Sequence, residues 1–522
     1  MGSRRSRSGT GGSPGRPALN WFPNRGAARL ESGAGCVLWR GQREMNETIP
    51  AGLLAVLTTT PELQRAFLVG GCVRDWILGE PSKDYDIEVF GISYEQLAAT
   101  LARHGRTDLV GRSFGVIKLT LPGGETHDFA IPRRDSKVRP GHKGFEVHFD
   151  PDITLEEAAA RRDFTLNALM YDPRRREVLD FFGGRNDLEQ RVLRHTSPAF
   201  TEDPLRVLRG MQFASRFDLT PAPETVALCR TIQNSHDELA GDRIREEWFK
   251  WAEKSRVPSR GLRFLVETGW DRHYPEIQAL VGTPQDPEWH PEGDVFVHTC
   301  HCLDALVTVP AWLEAERETR IVLTLAVLGH DFAKPQTTHV AVRHEQLRIV
   351  SPGHEAAGGD VTARFLDRIR TPLAIRERVV PLVMNHLAHM HMQTDRMVRR
   401  LSKRLEPATI TELIVVITAD QFGRPPRPRA LTENVLELQK RATDLQVQFH
   451  APDPILLGRH LIEKGMKPGP EFSVILSAAY EAQLEGQFFT LHEAWRWLAA
   501  EAALPVPDAV REKLPAAGTA AN

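Results

Sequence analysis

This 522-residue chain lacks the features that would place it in a membrane or in an oxidising compartment. No run of about 18 apolar residues occurs, so no membrane-spanning helix is expected. Only five cysteines are present, Cys36, Cys72, Cys229, Cys300 and Cys302. Their spacing makes neither a disulfide framework nor a zinc motif, and a reducing cytoplasm fits. The formal net charge is −2, so a polyanionic partner would have to be met by local basic patches. The phosphate-cradling strings GxxxxGKS and GxxxxGKT are also missing. What remains is ordinary for a globular protein, with 41% hydrophobic and 26% charged residues, and the length implies several domains.

Residues 1–44 stand apart. They hold eight arginines, no lysine and two glutamates among many Gly, Ser and Pro, a composition that predicts disorder. It also matches an organellar transit peptide, but apolar residues do not recur at helical spacing. Met45 opens the sequence that reads as folded, and a misassigned start site is the preferred account of what precedes it.

The most informative stretch is Asp84-Tyr85-Asp86-Ile87-Glu88-Val89-Phe90. Acidic and apolar residues alternate, as in a half-buried strand, so Asp84, Asp86 and Glu88 share one face. Carboxylates that close repel unless cations lie between them. Mg²⁺ is typically held by one or two carboxylates plus substrate phosphates, and paired ions can clamp an in-line phosphoryl displacement. A bare DxD fits a solvated edge strand equally well. Upstream, Phe67-Leu68-Val69 reads as a buried strand, followed by Gly70-Gly71 and a helical start running to Gly79. Such a turn lets backbone N–H groups meet a phosphate chain.

The string LVGGCVRDWILGEPSKDYDIEVFG joins GGxVRD to DxD at a set separation. It resembles the nucleotidyltransferase core of the class II CCA-adding enzymes and bacterial poly(A) polymerases. The resemblance implies a small mixed sheet whose Asp84 and Asp86 carry Mg²⁺ for nucleotidyl transfer, with Gly70, Gly71 and Arg74 cradling the triphosphate. Asp128, in His127-Asp128-Phe129-Ala130, resembles a third carboxylate of that core; a structural strand-end aspartate is the alternative.

Downstream, Pro132 to Gly144 mixes basic residues with turn formers and predicts a mobile loop rather than an element. In the resembled family this place is a loop needed for adding the final A. Arg161-Arg162-Asp163-Phe164-Thr165-Leu166-Asn167-Ala168 resembles the family motif RRDFTxNA, which implies that Arg161, Arg162, Asp163 and Asn167 handle ribose and triphosphate. Read alone, it is a helix start with Asp163 at the N-cap. In Glu202-Asp203-Pro204-Leu205-Arg206-Val207-Leu208-Arg209, Asp203 reads as N-cap, and Asp203, Arg206 and Arg209 share one helix face. An aspartate accepts from the amino group of C or A, and an arginine donates to ring acceptors. A surface ion pair is the plain alternative; the string resembles the family's EDxxR, which selects the base.

A different chemistry is suggested by His298, the pair His330-Asp331, His354, His386 and Asp420. Imidazole and carboxylate donors suit Mn, Fe, Co, Ni or Zn. Residues 290–425 resemble the HD phosphohydrolase superfamily, which implies a transition-metal site such as Ni, Mn, Co or Zn hydrolysing phosphate esters, including 2′,3′-cyclic phosphates.

The tail around Leu456–Pro470 predicts a helix, a glycine stop, a basic turn and a new helix ending near Gly486. It resembles the tail of CCA-adding enzymes, with Arg459, Lys464 and Lys467 available to tRNA phosphates or as plain surface charge.

The expected fold is α+β: a nucleotidyltransferase head with a small mixed sheet, then an all-α neck and body, an α-helical HD domain and a helical tail. The expected segments are 1–44 disordered, 45–187 head, 188–290 neck and body, 291–430 HD domain, and 431–522 RNA-binding tail. The resemblance implies template-free addition of C, C and A to the tRNA 3′ end from CTP and ATP, in the cytoplasm and without a membrane partner. The alternatives are an A-adding or CC-adding relative, a poly(A) polymerase, an HD phosphohydrolase whose front half only binds RNA, or a non-enzymatic RNA-binding protein.

Overall fold

The computed structural model describes residues 44–82, 84–109, 115–137, 145–391 and 394–515, and the side chains of 134–148 are left aside. The chain divides into Met1–Pro50 and Ala51–Asn522. Of the first unit only 44–50 is described, with a helical turn at Met45–Thr48, so the call of disorder over 1–44 falls almost wholly outside the described residues.

The second unit begins with a seven-stranded mixed sheet. Its strands are β1 (Ala66–Val69), β2 (Asp86–Val89), β3 (Arg106–Asp108), β4 (Val116–Thr120), β5 (Thr126–Ala130), β8 (Met170–Asp172) and β9 (Glu177–Leu179). They lie in the order β3-β4-β5-β2-β1-β8-β9. Only β2 and β5 run parallel, and their register sets Asp86 opposite Asp128. All four residues of β1 are buried, which its continuous apolar run requires of a central strand. Along β2 the alternation holds: Ile87 and Val89 are inside while Asp86 faces out. The strand begins at Asp86, so Asp84 sits just before it rather than within it.

Two local expectations change. Arg133–Lys137 is not loop but a strand (β6), paired antiparallel with Phe145–Phe149 (β7); residues 138–144 lie outside the described ones. Asp163 does not cap an α-helix. The chain makes a single 3₁₀ turn at Thr165–Asn167, and the Asp163 carboxylate accepts from Phe164 N and Asn167 Nδ2, both at 2.9 Å.

From residue 205 the chain is almost entirely helical. Leu205–Phe217 packs on Gly241–Lys254 and Pro258–Thr268. A helix array follows: Val295–Leu306, Arg317–Gly329, His354–Arg368, Leu373–Met384 and Ile410–Phe422. The expected all-helical HD region is interrupted by a hairpin, His339–Arg343 with Gln346–Val350. Trp248 and Trp251, both fully buried, are the centre of the join. Trp248 meets Phe365 edge to face at 5.3 Å, and Thr324 Oγ1 donates to Ala252 O at 2.9 Å. Truncating one such ring typically costs about 3–5 kcal/mol. The tail helices Gly458–Glu463, Pro470–Glu485 and Leu491–Ala500 share their own apolar core. They are tied to the helix Asp395–Leu405, where Arg399 Nε donates to Leu484 O at 3.0 Å.

Candidate functional sites: a carboxylate cleft and a histidine cluster

The first site is a cleft of about 650 Å³ between the sheet and the helices that follow it. Asp84, Asp86, Gly70, Gly71, Arg74, Arg161, Arg162, Asp163, Asn167, Asp203, Arg206 and Arg209 all line it, as do Arg216, Arg243, Lys250 and Lys254. Gly70 takes φ +71°, and a Cβ there would come within 2.8 Å of Arg162 Nη1, so the turn and the close approach both need glycine.

The acidic face carries its own stress. Asp86 is pushed above the usual carboxylate range, chiefly by burial; Arg162 opposes this, and Asp128, Asp84 and Glu88 add to it. Lys118 Nζ lies 3.2 Å from Asp128, and Arg162 lies 3.2 Å from Glu88. Carboxylates crowded in this way are suited to a hard divalent cation. Asp128 is beside Asp86 across the strand pair, but it leans on Lys118.

The basic wall is held by specific contacts. Arg74 is buried; its Nη1 donates to Asn167 Oδ1 at 2.5 Å, and its guanidinium lies 4.5 Å from the Phe217 ring centroid. Arg209 Nε donates to Asp163 Oδ2 at 2.7 Å. Burial alone would raise Asp163, but Arg209 and Asn167 hold it below the ordinary range. Arg206 is fixed by two carbonyls, Ala199 O at 2.8 Å and Arg161 O at 2.6 Å. Asp203 is not the N-cap the sequence predicts, since Pro204 takes that position and Asp203 ends the 3₁₀ turn Pro198–Glu202, but its carboxylate still accepts from Leu205 N at 3.1 Å. Its charged partner is not Arg206 but Arg243, at 2.8 Å, from the helix Gly241–Lys254. Neither Arg243 nor Lys250 was singled out from the sequence as part of the cleft, and for Arg243 the reason is that a pairing 40 residues away leaves no local pattern.

The second site joins all six of the other predicted donors at helix ends and faces. Asp294 caps Val295–Leu306 through Val297 N at 2.8 Å, which places His298 one turn in. His330 and Asp331 end the helix Arg317–Gly329, His354 opens the next one, His386 follows Leu373–Met384, and Asp420 lies on Ile410–Phe422. His298 Nε2 is 3.1 Å from Asp420 Oδ1 and 3.4 Å from His330 Nε2. Asp331 stands between two groups: Oδ2 is 3.2 Å from His330 Nε2, and Oδ1 is 3.3 Å from His354 Nε2. His354 and His386 approach through Nε2 at 3.3 Å.

The donors are nearly without solvent exposure, and a cavity of about 950 Å³ opens onto Asp331, His354, His386 and Asp420. Neither Asp331 oxygen has a well-aligned hydrogen-bond donor, although the Lys334 ammonium lies 2.8 Å from Oδ2. Arg424 sits 2.6 Å from Asp420. Burial alone would raise both acids, but His330 and Lys334 hold Asp331, and Arg424 and His298 hold Asp420, well below the usual range. Burial, then His330 and His354, pushes His386 down to about 3. A neutral His386 beside buried anionic carboxylates fits what a metal ion requires of its ligands; burial would lower His330 too, but Asp331 and Asp420 hold it above its ordinary value. Lys334, Arg424 and Cys302, whose Sγ is 3.3 Å from His298 Nε2, went unremarked as parts of this centre.

Residues 66–194 match the model of the poly A polymerase head domain. The chain is 38% identical over 373 residues to the multifunctional CCA protein of Halorhodospira halophila, covering 69% of this chain and 80% of that one. It is 36% identical over 428 residues to that of Methylococcus capsulatus, covering 78% and 91%. The chain belongs to the multifunctional CCA protein family. The fold of the family's CCA-adding relatives is shared: the Thermotoga maritima CCA-adding enzyme complexed with tRNA aligns with TM-score 0.54 at 19% identity, over 87% of this chain and 97% of that one. A CCA-adding enzyme in complex with CTP aligns with TM-score 0.57 at 20% identity, over 87% and 97%. The nucleotidyltransferase head of a CCA family member implies a divalent metal ion. Among the described residues no helix is long and apolar enough to cross a membrane.

Proposed function

We propose that this protein adds C, C and A to the 3′ end of tRNA from CTP and ATP, without a nucleic acid template. The observation that carries the reading is the cleft itself, where Asp84 and Asp86 stand across from Arg74, Arg161, Arg162 and Arg206. Asp84 and Asp86 would hold Mg²⁺, which supplies Lewis-acid activation and charge neutralisation for attack by the tRNA 3′-hydroxyl on the α-phosphate. Asp128 completes the carboxylate face as a third acid. Gly70 and Gly71 bring backbone N–H groups to the triphosphate, Arg74, Arg161 and Arg162 grip it in fork geometry, and pyrophosphate leaves. Asp163 and Asn167 brace Arg209 and Arg74, so they position the wall that meets ribose and phosphate. Asp203 accepts from the amino group that C and A share, and Arg206 donates to ring acceptors. Arg243, 2.8 Å away, keeps the Asp203 carboxylate aimed.

The segments are assigned as head 45–187, neck and body 188–290, HD domain 291–430 and tail 431–522, after the extension 1–44. Arg459, Lys464 and Lys467 of the tail are offered to tRNA phosphates. A cytoplasmic setting is part of the proposal, and it agrees with four buried cysteines that form no disulfide among the described residues.

A second activity is supported by the histidine cluster. His298, His330, Asp331 and Asp420, with His354 and His386 on the far side of Asp331, would hold one or two transition-metal ions such as Ni, Mn, Co or Zn. The ion would supply an activated water for hydrolysis of phosphate esters, including 2′,3′-cyclic phosphates.

The deciding experiment is extension of a tRNA ending at its discriminator base, with CTP alone, ATP alone, and both. A product that gains CCA only with both, and then stops, supports the reading. Single-nucleotide products demote the protein to a CC- or A-adding relative, and a long A tail makes it a poly(A) polymerase. No extension leaves the histidine cluster as the working site.

A further inference from the structure

The histidines of the cluster are not anchored alike. His330, His354 and His386 each direct Nδ1 to a backbone carbonyl, Val327 O, Ser351 O and Val383 O respectively, at 2.7 Å in every case. His298 is different. It lies inside the helix Val295–Leu306, where the neighbouring carbonyls serve the helix itself. Its Nδ1 is 2.7 Å from Glu292 Oε1. The Glu292 side chain has 0% exposure, and the same oxygen accepts from His290 Nδ1 at 2.9 Å. The other oxygen, Oε2, has no hydrogen-bond partner among the described residues. The turn carrying Glu292 is pinned on both sides: Gly293 takes φ +133°, and Asp294 caps the helix while accepting from Gly282 N at 2.7 Å.

A carboxylate accepts and does not donate, so His298 Nδ1 is the donor to Glu292, and Nε2 is the ring atom left facing Asp420 and His330, where a cation held between them would take its lone pair. A carboxylate partner also makes the imidazole a stronger donor than a carbonyl partner does. A fully buried carboxylate with one oxygen unpartnered is costly unless its charge is used. A cation on the far side of the imidazole would use it.

We infer that Glu292 is a positioning residue of the metal centre: it locks His298 with Nε2 towards the cluster and makes the group His298–His330–Asp420 the tighter of two metal-binding groups. The inference rests on the reading of the cluster as a metal site. Within it, the group Asp331–His354–His386, whose imidazoles are all anchored to carbonyls, is the weaker.

The test is calorimetric titration of the metal-free full-length protein with Ni²⁺ in excess Mg²⁺, so that the transferase cleft does not report. Glu292→Gln keeps an acceptor and removes the charge, while Glu292→Leu removes both. The tight step should weaken about tenfold in Glu292→Gln and ~10–100-fold in Glu292→Leu, with the weak step and CCA addition unchanged. Unaltered tight binding in both variants overturns the inference, and should Glu292→Leu fail to fold, Glu292→Gln alone decides. His298→Ala separates the two levels. If it also binds Ni²⁺ like the parent, the metal reading itself fails; if it loses the tight step while Glu292→Gln and Glu292→Leu keep it, only the role of Glu292 falls.

Discussion

Replacing Asp86 by Asn should destroy nucleotide transfer and, at neutral pH, make the metal-free protein more stable. Asp86 faces Asp128 across a parallel strand pair, where neighbouring strands lie about 4.8 Å apart. Two unit charges at that distance repel by about 3.5 kcal/mol at an effective dielectric constant near 20. Lys118, 3.2 Å from Asp128, and solvent screening remove much of this, which leaves about 1 kcal/mol. In a domain of this size that corresponds to ~2–4 °C in the unfolding midpoint. The pH dependence has a definite sign. The folded-state pKa of Asp86 lies above its ordinary value, so the native state favours the protonated acid. The native penalty is absent below the unfolded value near 3.8 and grows as pH rises through the folded value. The gain from Asp86→Asn should therefore be present at pH 7 and vanish by about pH 4. Mg²⁺ should reverse the ranking: at ten times its Kd it adds about 1.4 kcal/mol to the parent and little to the variant. Thermal unfolding with and without Mg²⁺, beside a CCA-addition assay, measures all three effects. A variant less stable than the parent without metal, or equal Mg²⁺ shifts in both, would refute the argument that these carboxylates are held together for a cation.

Two further outcomes are expected. Arg243→Ala should cost base selection more than turnover, because it removes the partner 2.8 Å from Asp203 while leaving the metal carboxylates in place; misincorporation of G and U should rise about tenfold in single-nucleotide extension, and an unchanged product spectrum would remove Arg243 from the selecting set. His236, stacked on His273 at 4.2 Å, is driven by burial and then by His273 from 6.5 to about 4; its contribution to stability is whole above pH 6.5, is lost as pH falls towards 4, and amounts to roughly 2 kcal/mol after discounting for partial exposure, so denaturant midpoints of His236→Gln should depend less on pH between 7 and 4.5 than those of the parent.

Much of the transferase cleft was legible because its signals are local. Period-two alternation put Asp86 and Glu88 on one face of their strand, although Asp84, expected beside them, lies just ahead of it, and the strand–glycine–helix string located Gly70. The six histidine and aspartate donors were legible as types, since the His330-Asp331 pair at the end of an apolar helix is hard to explain otherwise. The partners that give these residues their electrical character were not. Arg243 reaches Asp203, and Arg206 turns to two backbone carbonyls. Both are long-range pairings with no spacing rule behind them. The β6–β7 pair and the hairpin at 339–350 were missed for a related reason: turn-rich, charged segments read as loops unless their cross-strand partner is known. Glu292 shows the same limit, since its meaning depends on a helix cap that turns His298 back over it.

The helix Gly241–Lys254 brings Arg243 and Lys250 to the cleft and buries Trp248 against Phe365 of the helix that opens with His354. A single four-turn segment is thus a wall of both rooms. Natural selection cannot tune one side of it in isolation: a substitution that eases the indole packing also moves the guanidinium that steadies Asp203. Variation in this helix should be inherited as a trade between fidelity at the tRNA end and the geometry of the histidine centre, which would tie the evolutionary fates of two otherwise unrelated chemistries.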